Sequence, residues 1–307
     1  MSESVLIVGG SGFIGKNLAI QSVRSGYKTT VLSLNEVSDQ NKIPGIHYCN
    51  ADLSEIDNLK KILSDMQFHY VVNLAGYIDH SRFLDRDNNL LNTHFLGLIN
   101  LLHSLNIDKL KRFIQIGSSD EYGLQCAPQN ENMRESPIST YSAAKVAATH
   151  FLQMLYKTES FPVVILRLFL VYGPGQDDKR FLPQVIKGCL SDKIFPTSAG
   201  EQLRDFTYID DICRGILLAL TSDDVCGEVI NLASGKPISI RDVIRLVQTK
   251  ISKGSPIFGE IPYRSSENME LFADTEKSKQ LLNWEPEVDI YAGLDNTIEY
   301  YSCYGAS

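Results

Sequence analysis

Short apolar runs alternate with longer amphipathic runs over the first two-thirds of the chain. The apolar runs predict β-strands at 5–10, 27–34, 70–76, 112–119 and 162–173. The amphipathic runs between them predict helices at 13–25, 53–66, 89–106 and 141–159. This alternation predicts an α/β fold, a doubly wound parallel sheet with helices on both faces. Near-continuous apolar runs such as VVILRLFLV are typical of strands buried on both sides.

The pattern loosens after Gly175, where turn residues and short segments dominate, as in GPGQDDKRF and GEIPYRSSENM. We therefore expect a larger unit over 1–175 and a smaller, partly interleaved unit over 176–307.

Composition excludes several classes of protein. The 307 residues are 43% apolar and 21% charged, with a net charge of −8, and no Lys/Arg run indicates a nucleic-acid partner. No apolar stretch approaches the roughly 20 residues that a membrane helix needs, and MSESVLIVGG reads as a first strand rather than a signal peptide. Six scattered cysteines, without CxxC or zinc spacing, predict reduced thiols in a cytoplasmic protein without a metal site.

A glycine motif follows the first predicted strand and precedes the first helix. Gly9, Gly12 and Gly15 allow a tight turn and a close approach of a pyrophosphate to the helix N-terminus. The position predicts dinucleotide binding, and a purely structural glycine turn is the alternative.

Two positions bear on the adenosine half of such a dinucleotide. The second strand ends at Ser33, where an acid is expected for a ribose with a free 2′-hydroxyl, and no arginine lies beside it for a 2′-phosphate. NAD is favoured, and NADP stays open. Asp52 and Leu53 follow a further strand of the alternation, which lies between the strands at 27–34 and 70–76. An adenine contact is expected there, although Asp52 could instead cap a helix.

A second motif gives the chain a family resemblance. With the glycine motif joined to Tyr141-Ser-Ala-Ala-Lys145, the chain resembles the extended short-chain dehydrogenase/reductase family, in its branch of nucleotide-sugar epimerases, dehydratases and 4-reductases. The resemblance covers nearly the whole chain. Further matching segments are Asn73–Gly76, Asn92 with Gly97, Tyr172–Gly175, Arg204–Asp211, Arg264 and LLNWEP at 281–286.

The resemblance implies a Rossmann-type domain that binds NAD and a smaller α+β C-terminal domain that holds a nucleoside-diphosphate sugar. It implies a homodimer through the helices at 89–106 and 141–159, although ordinary packing of those helices is the alternative. The cofactor contacts that it implies beyond the glycines and the positions above are Phe13, Ile14, Leu74, Ala75, Gly76, Asn92, Tyr141 and Lys145.

Tyr141 and Lys145 lie four residues apart and so share one face of a helix. In this setting Tyr141 is predicted to take the proton from a sugar hydroxyl as hydride leaves, although a structural tyrosine is the alternative. Lowering a tyrosine pKa from near 10 to about 7 requires roughly 4 kcal/mol. One cation at about 4 Å supplies that much at an effective dielectric near 20, and Lys145 and oxidised nicotinamide are the cations expected.

The heptapeptide GSSDEYG at 117–123 bears on the reaction. The resemblance places Ser118 at the catalytic Ser/Thr position, and Ser119 and Asp120 at the two positions where dehydratases carry Asp-Glu or Ser-Glu. The first acid is missing and the second is one methylene shorter, which disfavours elimination of water. An alternative alignment, with a gap, matches Asp120 and Glu121 to the two acids. We instead expect Glu121 to point away from the substrate, because adjacent strand residues face opposite sides.

Four residues are candidates for binding the sugar nucleotide. His80 lies in the loop after the strand at 70–76, where it could meet a substrate hydroxyl or simply be solvated. Ser119 is expected at the substrate side of the heptapeptide. Arg204 and Arg264 suit a diphosphate, since a guanidinium binds phosphate in two places, although structural salt bridges are the alternative for both.

The sequence therefore predicts a cytoplasmic NAD(P)-dependent oxidoreductase acting at C4 of a nucleoside-diphosphate sugar, in the synthesis of bacterial surface polysaccharide. A 4,6-dehydratase and an epimerase are alternatives. A non-catalytic dinucleotide-binding sensor is a third, which the complete Ser118, Tyr141 and Lys145 set argues against.

Overall fold

The computed structural model describes residues 2–79, 83–85, 89–263 and 267–304. Its strands are β1 Ser4–Val8, β2 Lys28–Ser33, β3 Ile46–Asn50, β4 Tyr70–Asn73, β5 Arg112–Ser118, β6 Val163–Leu168, β7 Leu170–Tyr172, β8 Ile194–Thr197, β9 Leu203–Tyr208, β10 Val229–Leu232, β11 Pro237–Ser239, β12 Ser255–Phe258 and β13 Glu270–Leu271. Its α-helices are α1 Phe13–Arg24, α2 Ile56–Leu63, α3 Gly97–Ser104, α4 Thr140–Glu159, α5 Phe181–Leu190, α6 Ile209–Thr221, α7 Ile240–Ile251, α8 Glu276–Leu282 and α9 Ile290–Tyr304.

Seven parallel strands form the central sheet in the order β10-β6-β5-β4-β1-β2-β3. Successive residues of one strand enter different cores: Val5 and Ile7 of β1 join one hydrophobic cluster, and Leu6 and Val8 join another. Both faces of the sheet are therefore covered, which accounts for the near-continuous apolar strands. The Rossmann-type α/β fold expected from the sequence is confirmed.

The prediction of one long strand over 162–173 is wrong, because the chain divides there into β6 and β7. Leu168 pairs with Ser118, the last residue of β5, so the central sheet offers no neighbour on that side beyond this point. Phe169 lies between the two strands, and β7 pairs instead with β9 of a second sheet.

Two predicted helices also differ from the structure. The helix expected over 53–66 is shortened to α2. The helix expected over 89–106 contains a π-helical segment, Asn92–Leu96, before α3 begins. A π-helical turn shifts the direction in which the following side chains point, and such turns are frequent at functional sites.

The later part of the chain builds a second, four-stranded sheet of β7, β9, β11 and β13 and a two-stranded sheet of β8 and β12. It also returns β10 to the edge of the central sheet beside β6. We retain the division near residue 175 as a proposal, in the interleaved form expected from the sequence. Within the described ranges no helix is long and apolar enough to cross a membrane.

Candidate active site

The glycine motif lies where the order of the central sheet reverses, between the carboxyl ends of β1 and β4. Gly9 follows β1, and a Cβ atom built on Gly9 would lie 3.0 Å from the backbone of Ala75, which follows β4. Gly9 also has φ +77°, a conformation that favours glycine. Ligands of open α/β sheets bind in the crevice at this switch point.

Gly12 and Gly15 have different steric surroundings. A Cβ on Gly15 would lie 2.5 Å from the carbonyl oxygen of Gly9, inside the turn itself. A Cβ on Gly12 would meet only that oxygen, at 3.3 Å, and would otherwise project into open space. Gly12 is also the N-cap of α1 and provides no side-chain cap for the first N–H groups of the helix. This is a cradle that fits an anionic pyrophosphate.

Other predicted cofactor residues line or support the same crevice. Phe13 and Ile14 open α1 and are half-buried against the core. The N–H of Leu74 donates to the carbonyl of Val8 over 2.9 Å, which ties the end of β4 to the end of β1. Gly76 has φ +129°, and a Cβ there would overlap the ring of His94.

At the predicted adenosine end, Ser33 is buried, and its hydroxyl has no hydrogen-bond partner among the described residues. Asp52 accepts from the N–H of Ser54 over 2.8 Å and lies four residues before α2, so it is not the N-cap of that helix. Leu53 packs against Gly97 of α3. The cofactor roles of these three predicted residues stay predictions.

Ser118, Tyr141 and Lys145 converge at the carboxyl end of β5. Ser118 ends that strand, and Tyr141 and Lys145 are buried on the first two turns of α4, where the Ser118 hydroxyl hydrogen-bonds the Tyr141 phenol. The ammonium group of Lys145 donates to the carbonyl of Ile116 over 2.8 Å and lies 5.9 Å from the centre of the Tyr141 ring. The predicted catalytic residues are therefore brought together.

The electrostatics of this group differ from the sequence expectation. Burial raises the pKa of Tyr141 above its ordinary value; the nearby Asp120 and Glu121 carboxylates also raise it, and the Ser118 hydrogen bond opposes them. Burial lowers the pKa of Lys145 to about 8, against the charge of Glu121. The described residues thus hold Tyr141 as a neutral phenol, so a further positive charge is needed to make it a base.

The heptapeptide leaves the strand as a 3₁₀ turn, Ser119–Glu121, rather than continuing it. Asp120 remains partly exposed, and its charge acts on Tyr141. The Glu121 side chain is fully buried and pairs with Arg167 of β6. Glu121 points into the core. The expectation that it faces away from the substrate rested on its lying on a strand, and that reason does not apply, because the residue lies in the turn.

A histidine at this site was missed by sequence reasoning. Asn92, which was predicted to contact the cofactor, is exposed, and its amide donates to the side chain of Asn89. Two residues later, His94 is buried with its ring against Tyr141, and its Nε2 lies 2.8 Å from the carbonyl oxygen of Tyr77. The sequence offered one signal for His94, since a histidine inside an apolar helical run is expected to be buried.

The sequence analysis also did not assign Arg167 to the site, although a charged residue inside the apolar run VVILRLFLV was a signal for it.

Among the predicted substrate residues, Ser119 is buried, and Arg204 is paired with Glu267 and donates to the carbonyl of Leu203 over 2.8 Å. His80 and Arg264 lie outside the described residues. No group of three His, Cys, Asp or Glu side chains in the described part of the chain could hold a metal ion.

The family model for the NAD dependent epimerase/dehydratase family matches residues 5–233. The chain belongs to this family. It is an NAD-dependent enzyme of the extended short-chain dehydrogenase/reductase type, as the resemblance predicted, and the glycine cradle fits that cofactor.

Known members of the family are similar to the chain over almost its full length. A UDP-glucuronate 4-epimerase of Thermodesulfobacterium geofontis is 28% identical over 96% of this chain and 95% of its own. A dTDP-glucose 4,6-dehydratase of Xanthomonas campestris is 24% identical over 96% and 92%. The structure of a UDP-glucose 4-epimerase from Thermotoga maritima, with UDP-glucose, superposes with a TM-score of 0.89 at 26% identity over 98% of this chain and 99% of that one.

A UDP-glucuronic acid 4-epimerase from Bacillus cereus, in complex with UDP-glucuronic acid and NAD, superposes with a TM-score of 0.87 at 27% identity, over 98% of this chain and 99% of that one. These relatives support an activity of the nucleotide-sugar C4 oxidoreductase type for this family member.

Proposed function

We propose that the protein oxidises or reduces C4 of a nucleoside-diphosphate sugar and leaves the C6 hydroxyl in place. The observation that carries this proposal is the burial of Glu121 in an ion pair with Arg167. Elimination of water across C5 and C6 needs both a base and a proton donor. With Glu121 in the core and a serine at 119, the heptapeptide supplies only Asp120 as a partly exposed acid.

The residues of the chain perform the proton transfer at the sugar. Tyr141 removes the proton from the C4 hydroxyl, or returns it in the opposite direction, and Ser118 orients the same oxygen. Lys145 is held by the Ile116 carbonyl and carries positive charge behind the phenol. The glycine cradle would hold NAD, which would supply the hydride exchange and, in its oxidised form, the additional positive charge that favours the tyrosinate.

Epimerisation at C4 is a second candidate function, favoured by the similarity to two 4-epimerases that exceed 25% identity over nearly the whole chain. It uses the same oxidation, followed by return of the hydride to the opposite face of a 4-keto sugar. The residues described above serve both outcomes. The two functions differ in whether the keto sugar leaves the enzyme.

The experiment is to incubate the purified protein with NAD and each of a set of UDP-, dTDP-, GDP- and CDP-hexoses, and to analyse the products by mass spectrometry and chromatography. A product about 2 Da lighter than its substrate, with accumulation of reduced cofactor, supports the proposal. A product of unchanged mass with a new retention time shows epimerisation. A product lighter by one water, about 18 Da, rejects the proposal in favour of a dehydratase.

We propose that the protein is a homodimer formed through the π-helical segment, α3 and α4. Leu91 and Leu96 are exposed beside α3, and Met154 is exposed on α4. The π-helical segment packs against α4, with the rings of Phe95 and Phe151 5.8 Å apart, and exposed apolar side chains on packed helical segments favour a self-complementary interface. Sedimentation should give a dimer for the wild type and a monomer for Leu96→Glu. Ile194→Glu, which changes an exposed apolar residue of β8, is the control, and it should leave the dimer intact.

We further propose a cytoplasmic location and a role in making sugars for surface polysaccharide. Six free cysteines support a reducing compartment. To test the role in polysaccharide synthesis, the product identified above is offered as a donor to the glycosyltransferases of the same organism.

A further inference from the structure

Both oxygens of the Glu121 carboxylate accept hydrogen bonds from other groups of the protein. One oxygen accepts from the backbone N–H of Ser118 over 2.9 Å. The other accepts from the Thr149 hydroxyl over 2.9 Å and from Nε of Arg167 over 3.0 Å, and it lies 2.9 Å from Nη2 of Arg167 in the ion pair. Both charged side chains are fully buried. Glu121 therefore joins the end of β5, α4 and β6 at one point directly behind the catalytic serine.

The segment 117–121 is built around this carboxylate. A Cβ on Gly117 would lie 2.6 Å from the Glu121 oxygen, so the glycine leaves the space that the acid occupies. The Ser118 hydroxyl accepts from the N–H of Asp120 over 3.1 Å, which closes the turn from the other side. Gly117, Ser118 and Glu121 thus act as a unit, and the backbone of Ser118 has little freedom to move.

The stability of the fold does not by itself explain this arrangement. A buried ion pair loses hydration on folding, and apolar residues of similar volume often stabilise a core as well or better. Arg167 is further held by Glu135, over 2.6 Å, and its guanidinium lies 4.6 Å from the centre of the Tyr122 ring. The feature specific to Glu121 is its contact with the active site.

We propose that Glu121 is a positioning residue of the active site, which fixes the backbone of Ser118 and places a negative charge behind Lys145 and Tyr141. The proposal deepens the C4 oxidoreductase function and rests on it for the catalytic readout. The carboxylate does not contact the sugar or NAD; it acts through Ser118 and through its charge.

The charges around the site determine in which direction Glu121 changes the pKa values of Lys145 and Tyr141. The charge of Glu121 raises the pKa of Lys145, against burial. It also raises the pKa of Tyr141, as Asp120 does, while Arg180 and the Ser118 hydrogen bond lower that pKa. The buried His94 ring also faces Tyr141. Removal of the Glu121 charge should therefore lower the pKa values of both Lys145 and Tyr141.

The test compares Glu121→Gln with Glu135→Gln. Each variant removes one carboxylate from Arg167, but only Glu121 contacts Ser118, so Glu135→Gln is a matched control. Glu121→Gln should lower kcat about tenfold or more, leave KM for the nucleotide sugar within about twofold, and move the acidic limb of the kcat profile to lower pH. Glu135→Gln should change none of these. Equal effects of the two variants, or no effect of Glu121→Gln, would overturn the proposal.

A second readout does not depend on turnover. In protein carrying lysine labelled with carbon-13 at Cε, the signal absent from Lys145→Met reports Lys145. That signal should titrate at lower pH in Glu121→Gln than in the wild type, and at an unchanged pH in Glu135→Gln. If the Lys145 signal shifts in Glu121→Gln but the wild type shows no activity on any nucleotide sugar, the proposed function is rejected. The effect of the Glu121 charge on Lys145 is then still supported. An unshifted signal would overturn that role.

Two further variants keep the test decisive. Glu121→Asp retains the charge but is one methylene too short to reach the Ser118 N–H, so it should lower kcat and leave the pH profile in place. If Glu121→Gln does not fold, the double variant Glu121→Met with Arg167→Met removes both buried charges together. It should fold with the same loss of kcat, and wild-type turnover in it would overturn the proposal.

Discussion

The ring of His94 lies edge-on against the ring of Tyr141, with centroids 5.2 Å apart and an angle of 78° between the planes. The same imidazole occupies the space that a side chain at Gly76 would need, and its Nε2 hydrogen-bonds the carbonyl of Tyr77. His94 therefore connects the loop after β4 with Tyr141.

His94→Ala should lower both stability and turnover. It removes a buried ring and leaves the Tyr77 carbonyl without this partner, at a cost of about 2–4 kcal/mol in the free energy of unfolding. We expect kcat to fall about tenfold, because Tyr141 loses the ring that supports it. Urea denaturation and steady-state kinetics measure the two effects. His150→Ala, an exposed histidine of α4, is the control and should be nearly silent in both.

His94 should also remain neutral throughout the range of the assays. Burial and the charge of Lys145 lower its pKa to about 3, against the hydrogen bond to Tyr77. In a proton NMR titration between about pH 5 and pH 9, the ring signal that disappears in His94→Ala should not move. A titration midpoint near the ordinary histidine value would contradict the buried placement.

Tyr141→Phe should lower turnover about 100-fold or more, because the proton-transferring group is lost. NAD binding, measured by calorimetry, should change little. Tyr156→Phe alters an exposed tyrosine of the same helix and should retain full activity. Near-normal single-turnover rates in Tyr141→Phe would remove the phenol from the mechanism.

Gly12→Val should abolish NAD binding in a folded protein, because its side chain would project into the open space in front of α1 where the pyrophosphate is expected. Gly15→Ala should instead lower the melting temperature, because its Cβ meets the Gly9 carbonyl inside the turn. Calorimetry and thermal denaturation separate the two effects. Unchanged NAD affinity in folded Gly12→Val would place the cofactor elsewhere.

Lys145→Met should abolish catalysis and change how stability depends on pH. Because burial lowers the folded-state pKa of Lys145 to about 8, the folded protein releases this proton before the unfolded chain does. Between about pH 8 and 10.5 the unfolded state binds more protons, so this group makes wild-type stability rise with pH, by up to about 3 kcal/mol. Below pH 8 Lys145 is charged in its buried position, and the full free-energy cost of burying that charge is present. Urea denaturation across that range should show a smaller rise in Lys145→Met.

Much of the fold could be predicted from local pattern. Apolar runs of strand length predicted β1, β2, β4 and β5 within a few residues of their bounds. The glycine motif and the Tyr141–Lys145 spacing predicted residues that the structure gathers at one end of the sheet. These features depend on neighbours along the chain, through the period of a helix and the geometry of a turn.

The direction of the acids in GSSDEYG could not be predicted from neighbours. Glu121 and its partner Arg167 are 46 residues apart in sequence, and their pairing depends on β5 and β6 lying side by side. The expected direction of Glu121 rested on the alternation of side chains along a strand, which does not apply here, since the chain turns at Ser119. The break between β6 and β7 also depends on distant segments, because it occurs where the neighbouring strand β5 ends.

By itself, the sequence determined the alternation of elements, the glycine cradle and the identity of the serine, tyrosine and lysine. Only the tertiary structure decided that His94 packs against Tyr141, and that Glu121 lies in the core, where it pairs with Arg167 and accepts from the N–H of Ser118. The physical reason is that local periodicity fixes which face of an element a residue occupies. The charges, rings and carbonyl groups that surround this face come from distant segments, and they are known only once the sheet has formed.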